Sequence, residues 1–141
     1  MARVVARLLT TILILSYSQT TIAGPYEDGI SANQKQDYGT AIRIWKALVE
    51  KGHMEAQVGL GFLYYYGKGT PKNYKEAARL FTLAANQGHT NAQKSLALMY
   101  RDGVGVPKNL KETFKFLKMA AEQGNSADAQ YELGVMLFQF I

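Results

Sequence analysis

Residues 55–89 read EAQVGLGFLYYYGKGTPKNYKEAARLFTLAANQGH, and residues 91–125 read NAQKSLALMYRDGVGVPKNLKETFKFLKMAAEQGN. At a fixed offset of 36 they agree at Ala56 and Ala92, Leu60 and Leu96, Tyr64 and Tyr100, Gly67 and Gly103, Gly69 and Gly105, Pro71 and Pro107, Asn73 and Asn109, and Ala84 and Ala120. A period of this length marks stacked supersecondary units. The pattern continues both ways. Upstream, Tyr38, Ala41 and Gly52 stand where Tyr74, Ala77 and Gly88 stand; downstream, after one inserted residue, Ala129, Leu133 and Gly134 answer to Ala56, Leu60 and Gly61.

Each unit reads as two helices. Ala56, Leu60, Leu63 and Tyr64 share one face at helical spacing, and Ala77, Leu80, Phe81 and Ala84 do the same in the second helix. Gly67 and Gly69 end the first helix, because glycine accepts the left-handed conformation found just past a helix C-terminus. Asn73 and Asn109 suit the N-cap of the second helix, and Gly88 and Gly124 suit its stop.

The joining stretch, GKGTPKN over residues 67–73, invites a second reading as a phosphate-binding loop. Its spacing argues against that: five residues rather than four separate Gly61 from Gly67, and Gly69 follows Lys68 where Ser or Thr is needed. The second copy, GVGVPKN, keeps the glycines, the proline and the asparagine but replaces Lys68 with Val104. What repeats is turn chemistry.

On these residues the chain resembles the Sel-one-like repeats, 36-residue relatives of the tetratricopeptide repeat. The A-x-x-x-L-G-x-x-Y-x-x-G-x-G core stands at Ala56, Leu60, Gly61, Tyr64, Gly67 and Gly69, and again at Ala92, Leu96, Tyr100, Gly103 and Gly105, with Ala97 in the glycine position. The resemblance implies an all-α, right-handed α/α solenoid with about seven helices after a leader. It further implies a protein-interaction adaptor, often exported in bacteria, that binds a protein or peptide partner. The organisation expected is a leader over 1–23, a tetratricopeptide-like cap over 24–53, repeats over 54–89 and 90–125, and a partial repeat over 126–141.

The first 23 residues differ from the rest. Arg3 and Arg7 precede the apolar run LLTTILILSYS, and Thr21-Ile22-Ala23 supplies small residues ahead of a cut before Gly24, the three-part pattern of a secretory signal. The run carries Thr10, Thr11, Ser16 and Ser18 and falls short of the ~20 apolar residues that span a bilayer. A periplasmic or secreted location follows, with no stable membrane insertion after cleavage; if residues 1–23 are not cut, the alternative is a membrane-tethered regulatory scaffold. Removing the leader takes two arginines and no acids, so the net charge drops from +5 to +3. The remaining lysines alternate with acids, which leaves no basic stripe for a nucleic-acid backbone.

No cysteine is present, which excludes thiol catalysis, cysteine-based zinc sites and disulfides. A cysteine-rich secreted branch of the resembled family is linked to β-lactam binding and hydrolysis, but that branch pairs cysteines within each repeat. No serine sits in a G-x-S-x-G or S-x-x-K setting. The chain is read as a non-enzyme with no cofactor and no metal. His53 and His89, 36 apart, read as polar turn positions rather than ligands, with Asn125 in the third copy.

The candidate partner site is the side of the first helices turned away from the Leu60 stripe. At 100° per residue this selects Val58, Phe62 and Tyr65, then Lys94, Leu98 and Arg101, then Tyr131, Val135 and Phe138. The resemblance places first helices on a concave surface. An apolar groove with Lys94 and Arg101 inside it suits an extended peptide or a helix carrying acids; the competing reading has these positions packing between repeats. At the C-terminus, GVMLFQFI leaves apolar residues where a capping helix would be polar, which predicts either self-association through that end or a truncated copy of a longer protein.

Overall fold

The computed structural model describes residues 24–123 and 126–139; the predicted leader, Gly124, Asn125, Phe140 and Ile141 lie outside the described residues. Seven helices follow one another: α1 (Pro25–Gln34), α2 (Tyr38–Val49), α3 (Met54–Tyr66), α4 (Tyr74–Asn86), α5 (Thr90–Asp102), α6 (Leu110–Gln123) and α7 (Ala127–Gln139). Each packs on its sequence neighbours, so the chain advances as α1/α2, α3/α4 and α5/α6 hairpins with α7 opening a fourth. The described residues are all-α, as the repeat predicts.

The turn residues act as their chemistry requires. Gly67 ends α3 at φ 69° and Gly103 ends α5 at φ 70°, both left-handed. The hinge amides are then spent on the helix just completed: Lys68 N–H donates to Leu63 O at 3.0 Å and Asn73 N–H to Tyr64 O at 2.8 Å. Val104 and Asn109 repeat both bonds on Met99 O and Tyr100 O. Donors used this way do not face a phosphate. Asn73 Oδ1 accepts from Glu76 N–H, and Asn109 Oδ1 accepts from Lys111 and Glu112, capping α4 and α6.

Gly69 and Gly105 have a second duty. A Cβ on Gly69 would lie 2.3 Å from Tyr38 Cβ, and one on Gly105 would lie 2.3 Å from the Tyr74 carbonyl oxygen. Each hinge therefore rests on the first turn of the preceding second helix.

Both histidines are N-caps. His53 Nδ1 accepts Ala56 N–H at 3.3 Å, and His89 Nδ1 accepts Ala92 N–H at 3.2 Å. Before α7 the role falls to Ser126, whose Oγ accepts Ala129 N–H at 3.3 Å; the inserted residue moves the cap one place beyond Asn125. Replacing His89 with alanine is expected to cost about 1 kcal/mol, whereas asparagine, a stronger cap, should match or exceed the parent. Urea denaturation of both variants measures the difference, and equal loss in both would assign the histidine a role other than capping.

The core is a chain of clusters. Trp45, Ala56, Leu60, Leu63 and Leu80 form one cluster, and Val58, Phe81, Ala85, Leu96, Met99, Phe116 and Leu117 belong to the next. Leu80 and Phe81, adjacent on α4, face opposite clusters, so α4 ties one repeat to the following one. Ala77, Ala84, Ala85, Ala92, Ala97 and Ala120 are fully buried and let the helix axes approach closely. Two buried glutamines, Gln57 and Gln93, are held by exposed ones: Gln87 Nε2 donates to Gln57 Oε1 at 2.8 Å, and Gln93 Nε2 donates to Gln123 Oε1 at 3.0 Å and to Ala85 O at 3.1 Å.

Candidate partner-binding groove

The predicted site residues divide. Phe62, Tyr65 and Leu98 meet in one pocket of ≈ 200 Å³ between α3 and α5, completed by Tyr66, Phe81, Ser95, Met99, Asp102 and Val104. Phe62 is fixed by an edge-on contact with Phe81 at 4.9 Å between centroids, and Tyr65 by edge contacts with Tyr66 and Tyr74, each at 5.1 Å. Leu98 remains 38% exposed at the rim.

Val58 does not line this pocket. It is only 9% exposed and belongs to the core cluster shared with α4 and α5. The helical wheel assigned α3 a single buried stripe, but a helix inside a stack is covered on two sides.

Lys94 and Arg101 are also not free cations for an acidic partner. Lys94 Nζ lies 3.3 Å from Asp128 Oδ2, and Arg101 Nη1 lies 3.3 Å from Glu132 Oε2, both across to α7. Arg101 also holds Asp102 through Nε at 2.8 Å and Nη2 at 3.2 Å, and these hydrogen bonds keep the Asp102 carboxyl below the usual carboxylate range. Three carboxylates thus meet these two cations, and Lys108 adds a third positive charge near Asp102.

The same pocket occurs once per repeat. A pocket of ≈ 210 Å³ between α2 and α3 is lined by Trp45, Gly59, Phe62, Leu63 and Tyr66, with Asn33 and Lys68 beside them. The pocket between α3 and α5 takes Phe81, Ser95, Leu98, Met99 and Asp102 at the equivalent positions. A third, ≈ 140 Å³, takes Leu117, Glu132, Val135, Met136 and Gln139, with Arg101, Leu110 and Thr113. All five positions correspond through the repeat offsets of 36 and, after the insertion, 37. Each floor is a second-helix residue, Trp45, Phe81 or Leu117, and each wall is the next first helix.

Sequence reasoning missed these floors because it searched the first helices alone. Applying the 36-residue offset to second-helix positions would have aligned Trp45, Phe81 and Leu117. On α7, in the register of Val58 and Tyr65, Tyr131 is 71% and Phe138 83% exposed. Among the described residues no cluster of His, Asp or Glu could hold a metal ion, and no helix is long and apolar enough to cross a membrane.

Stacked hairpins joined by glycine hinges, with a recurrent pocket between them, define an α-helical repeat solenoid. Residues 55–89, 90–125 and 127–139 match the family model of the Sel1 repeat, and the chain belongs to the Sel1 repeat family. It is similar to the Sel1 repeat protein from Oxalobacter formigenes, with 33% identity and a TM-score of 0.76 over 82% of this chain and 47% of that one. It is also similar to c5321, a protective antigen of uropathogenic Escherichia coli strains with an SLR fold, at 30% identity and TM-score 0.70 over 72% of this chain and 22% of that one. Helicobacter pylori cysteine rich protein B shares the fold at 21% identity and TM-score 0.64, over 81% of this chain and 98% of that one. The chain spans about half the length of the Oxalobacter protein and about a fifth of c5321. No curated protein sequence matches it. Sel1 repeat proteins are typically protein-interaction scaffolds and generally not enzymes.

Proposed function

We propose that this chain is an exported interaction scaffold that holds a peptide or protein segment along the face built by α1, α3, α5 and α7. The observation that carries this reading is the pocket made three times from equivalent positions. Single apolar pockets are common; a row in one register suits a ligand with a matching row of side chains. The leader pattern of residues 1–23 supports export, with a mature start at Gly24 and a periplasmic or secreted location. The exposed Tyr131, Leu137 and Phe138 on α7 support a second contact, self-association.

One experiment reads all three. A photo-crosslinking amino acid is placed at Leu98, at Tyr131, or at Arg79 on exposed α4 surface, and the full chain is expressed in a bacterial host and fractionated. Expected are an envelope-fraction chain beginning at Gly24, a heterologous crosslink from Leu98 but not Arg79, and a self-crosslink from Tyr131. Equal labelling from Leu98 and Arg79 would overturn the groove, and a cytoplasmic chain that keeps residues 1–23 would overturn export.

A further inference from the structure

We infer that a second copy of this chain covers the open face of α7, in a closed two-fold dimer in which Phe138 of each copy enters the seat at Gly134 of the other. This deepens the self-association reading and rests on it. The first observation is an unfilled seat. Within the first repeat Gly61 lies under the Phe81 ring, which a Cβ there would meet at 2.7 Å, and Phe62 closes edge-on against the same ring at 4.9 Å between centroids. On α7 the residues in that register are Gly134 and Val135. Nothing lies within 4 Å of a Cβ on Gly134, and an open cavity of ≈ 520 Å³ there is lined by Gln130, Tyr131, Gly134, Val135, Phe138 and Gln139.

Hydrogen bonding tells the same story. Gln57 and Gln93 are buried and bonded to Gln87 and Gln123 at the ends of the second helices, whereas their counterpart Gln130 is exposed. Thus α7 presents the face to which α3 and α5 fasten their second helices. Such a face suits a helix antiparallel to α7 with a bulky apolar side chain opposite Gly134.

A second α7 supplies that helix. Leu137, 47% exposed, and Phe138, 83% exposed, stand three and four residues past Gly134, as Leu80 and Phe81 stand past Ala77 on α4. A two-fold axis perpendicular to the helices and passing beside Met136 sets two copies of α7 antiparallel. Each Phe138 then lies opposite Gly134 of the other copy, so both seats fill in one register.

Charge and the far end of the stack select this occupant. The charged residues of α7 are Asp128 and Glu132, and both are bonded to α5, at Lys94 and Arg101. The remaining face is uncharged, so setting it against itself brings no like charges together. Head-to-tail stacking would need an apolar face at the α1 end, but no large apolar side chain is exposed from Gly24 to Tyr65. Self-complementary pairing stops at two copies.

The test is sedimentation equilibrium of the mature chain over a range of concentrations. A monomer–dimer equilibrium without larger species is expected. Phe138→Gln should weaken it on the order of tenfold or more, with unchanged far-UV circular dichroism because the side chain is at the surface. Gly134→Leu should weaken it as much while raising the urea midpoint of the dilute monomer, since leucine suits a helix interior better than glycine and its Cβ meets nothing there. An equimolar mixture of the two variants should associate more tightly than either alone, because one Phe138 and one Gly134 still meet. A monomer throughout, open-ended growth, a mixture no tighter than its components, or a Gly134→Leu dimer tighter than the parent, as general stickiness would give, would overturn the proposal. So would a Tyr131 photo-crosslink to a foreign protein in place of the self-crosslink. If Tyr131 crosslinks to itself while neither variant weakens the dimer, self-association stands and the two-fold contact falls.

Discussion

Phe81→Ala is expected to lower stability by about 3–5 kcal/mol, the cost of deleting a fully buried aromatic side chain. Phe81 has no exposed surface, touches Phe62 edge-on, and lies so close to α3 that a Cβ on Gly61 would come within 2.7 Å of its ring. It sits in the cluster that joins the second and third hairpins, so the loss should decouple them as well as loosen one core. Small proteins have about 5–15 kcal/mol in total, so the variant should be partly unfolded at 37 °C. Phe81→Leu should be far milder, because Leu117 fills the equivalent position one repeat on. Urea titration followed by circular dichroism checks both; similar midpoints for the two variants would contradict the packing role.

Gly105→Ala is expected to cost about 2–5 kcal/mol from two sources that can be separated. A non-glycine residue in the left-handed region costs about 1–2 kcal/mol, and Gly105 has φ 71°. Overpacking adds about 1–3 kcal/mol, since the new methyl would stand 2.3 Å from Tyr74 O. Gly52 provides the control: its φ is 78°, but nothing lies within 4 Å of a Cβ there. Gly52→Ala should therefore show the conformational part alone. Equal midpoints for the two variants would mean that the hinge does not press on the preceding helix.

Much of this was legible before any coordinates because hinge, cap and core stripe are local features that the sequence prints more than once. Gly67 and Gly103, Asn73 and Asn109, and the alanines of the second helices occur at one offset for one reason. The site was less legible because its chemistry is made between repeats. Lys94 and Arg101 look like free cations until the fold brings Asp128 and Glu132 beside them, 34 and 31 residues away in the chain. Val58 looks exposed on a wheel centred on Leu60, yet the next hairpin closes over it. The floors Trp45, Phe81 and Leu117 differ enough in size and shape that only their shared position relates them.

The contact of Gly69 with Tyr38 and of Gly105 with Tyr74 has a consequence for recognition at a distance. Because each hinge is seated on the start of the preceding helix, the glycine fixes the angle at which successive hairpins follow one another. That angle determines the interval between neighbouring pockets. A substitution at Gly69 too mild to unfold the chain would therefore change how one pocket is set against the next, without altering the lining of either.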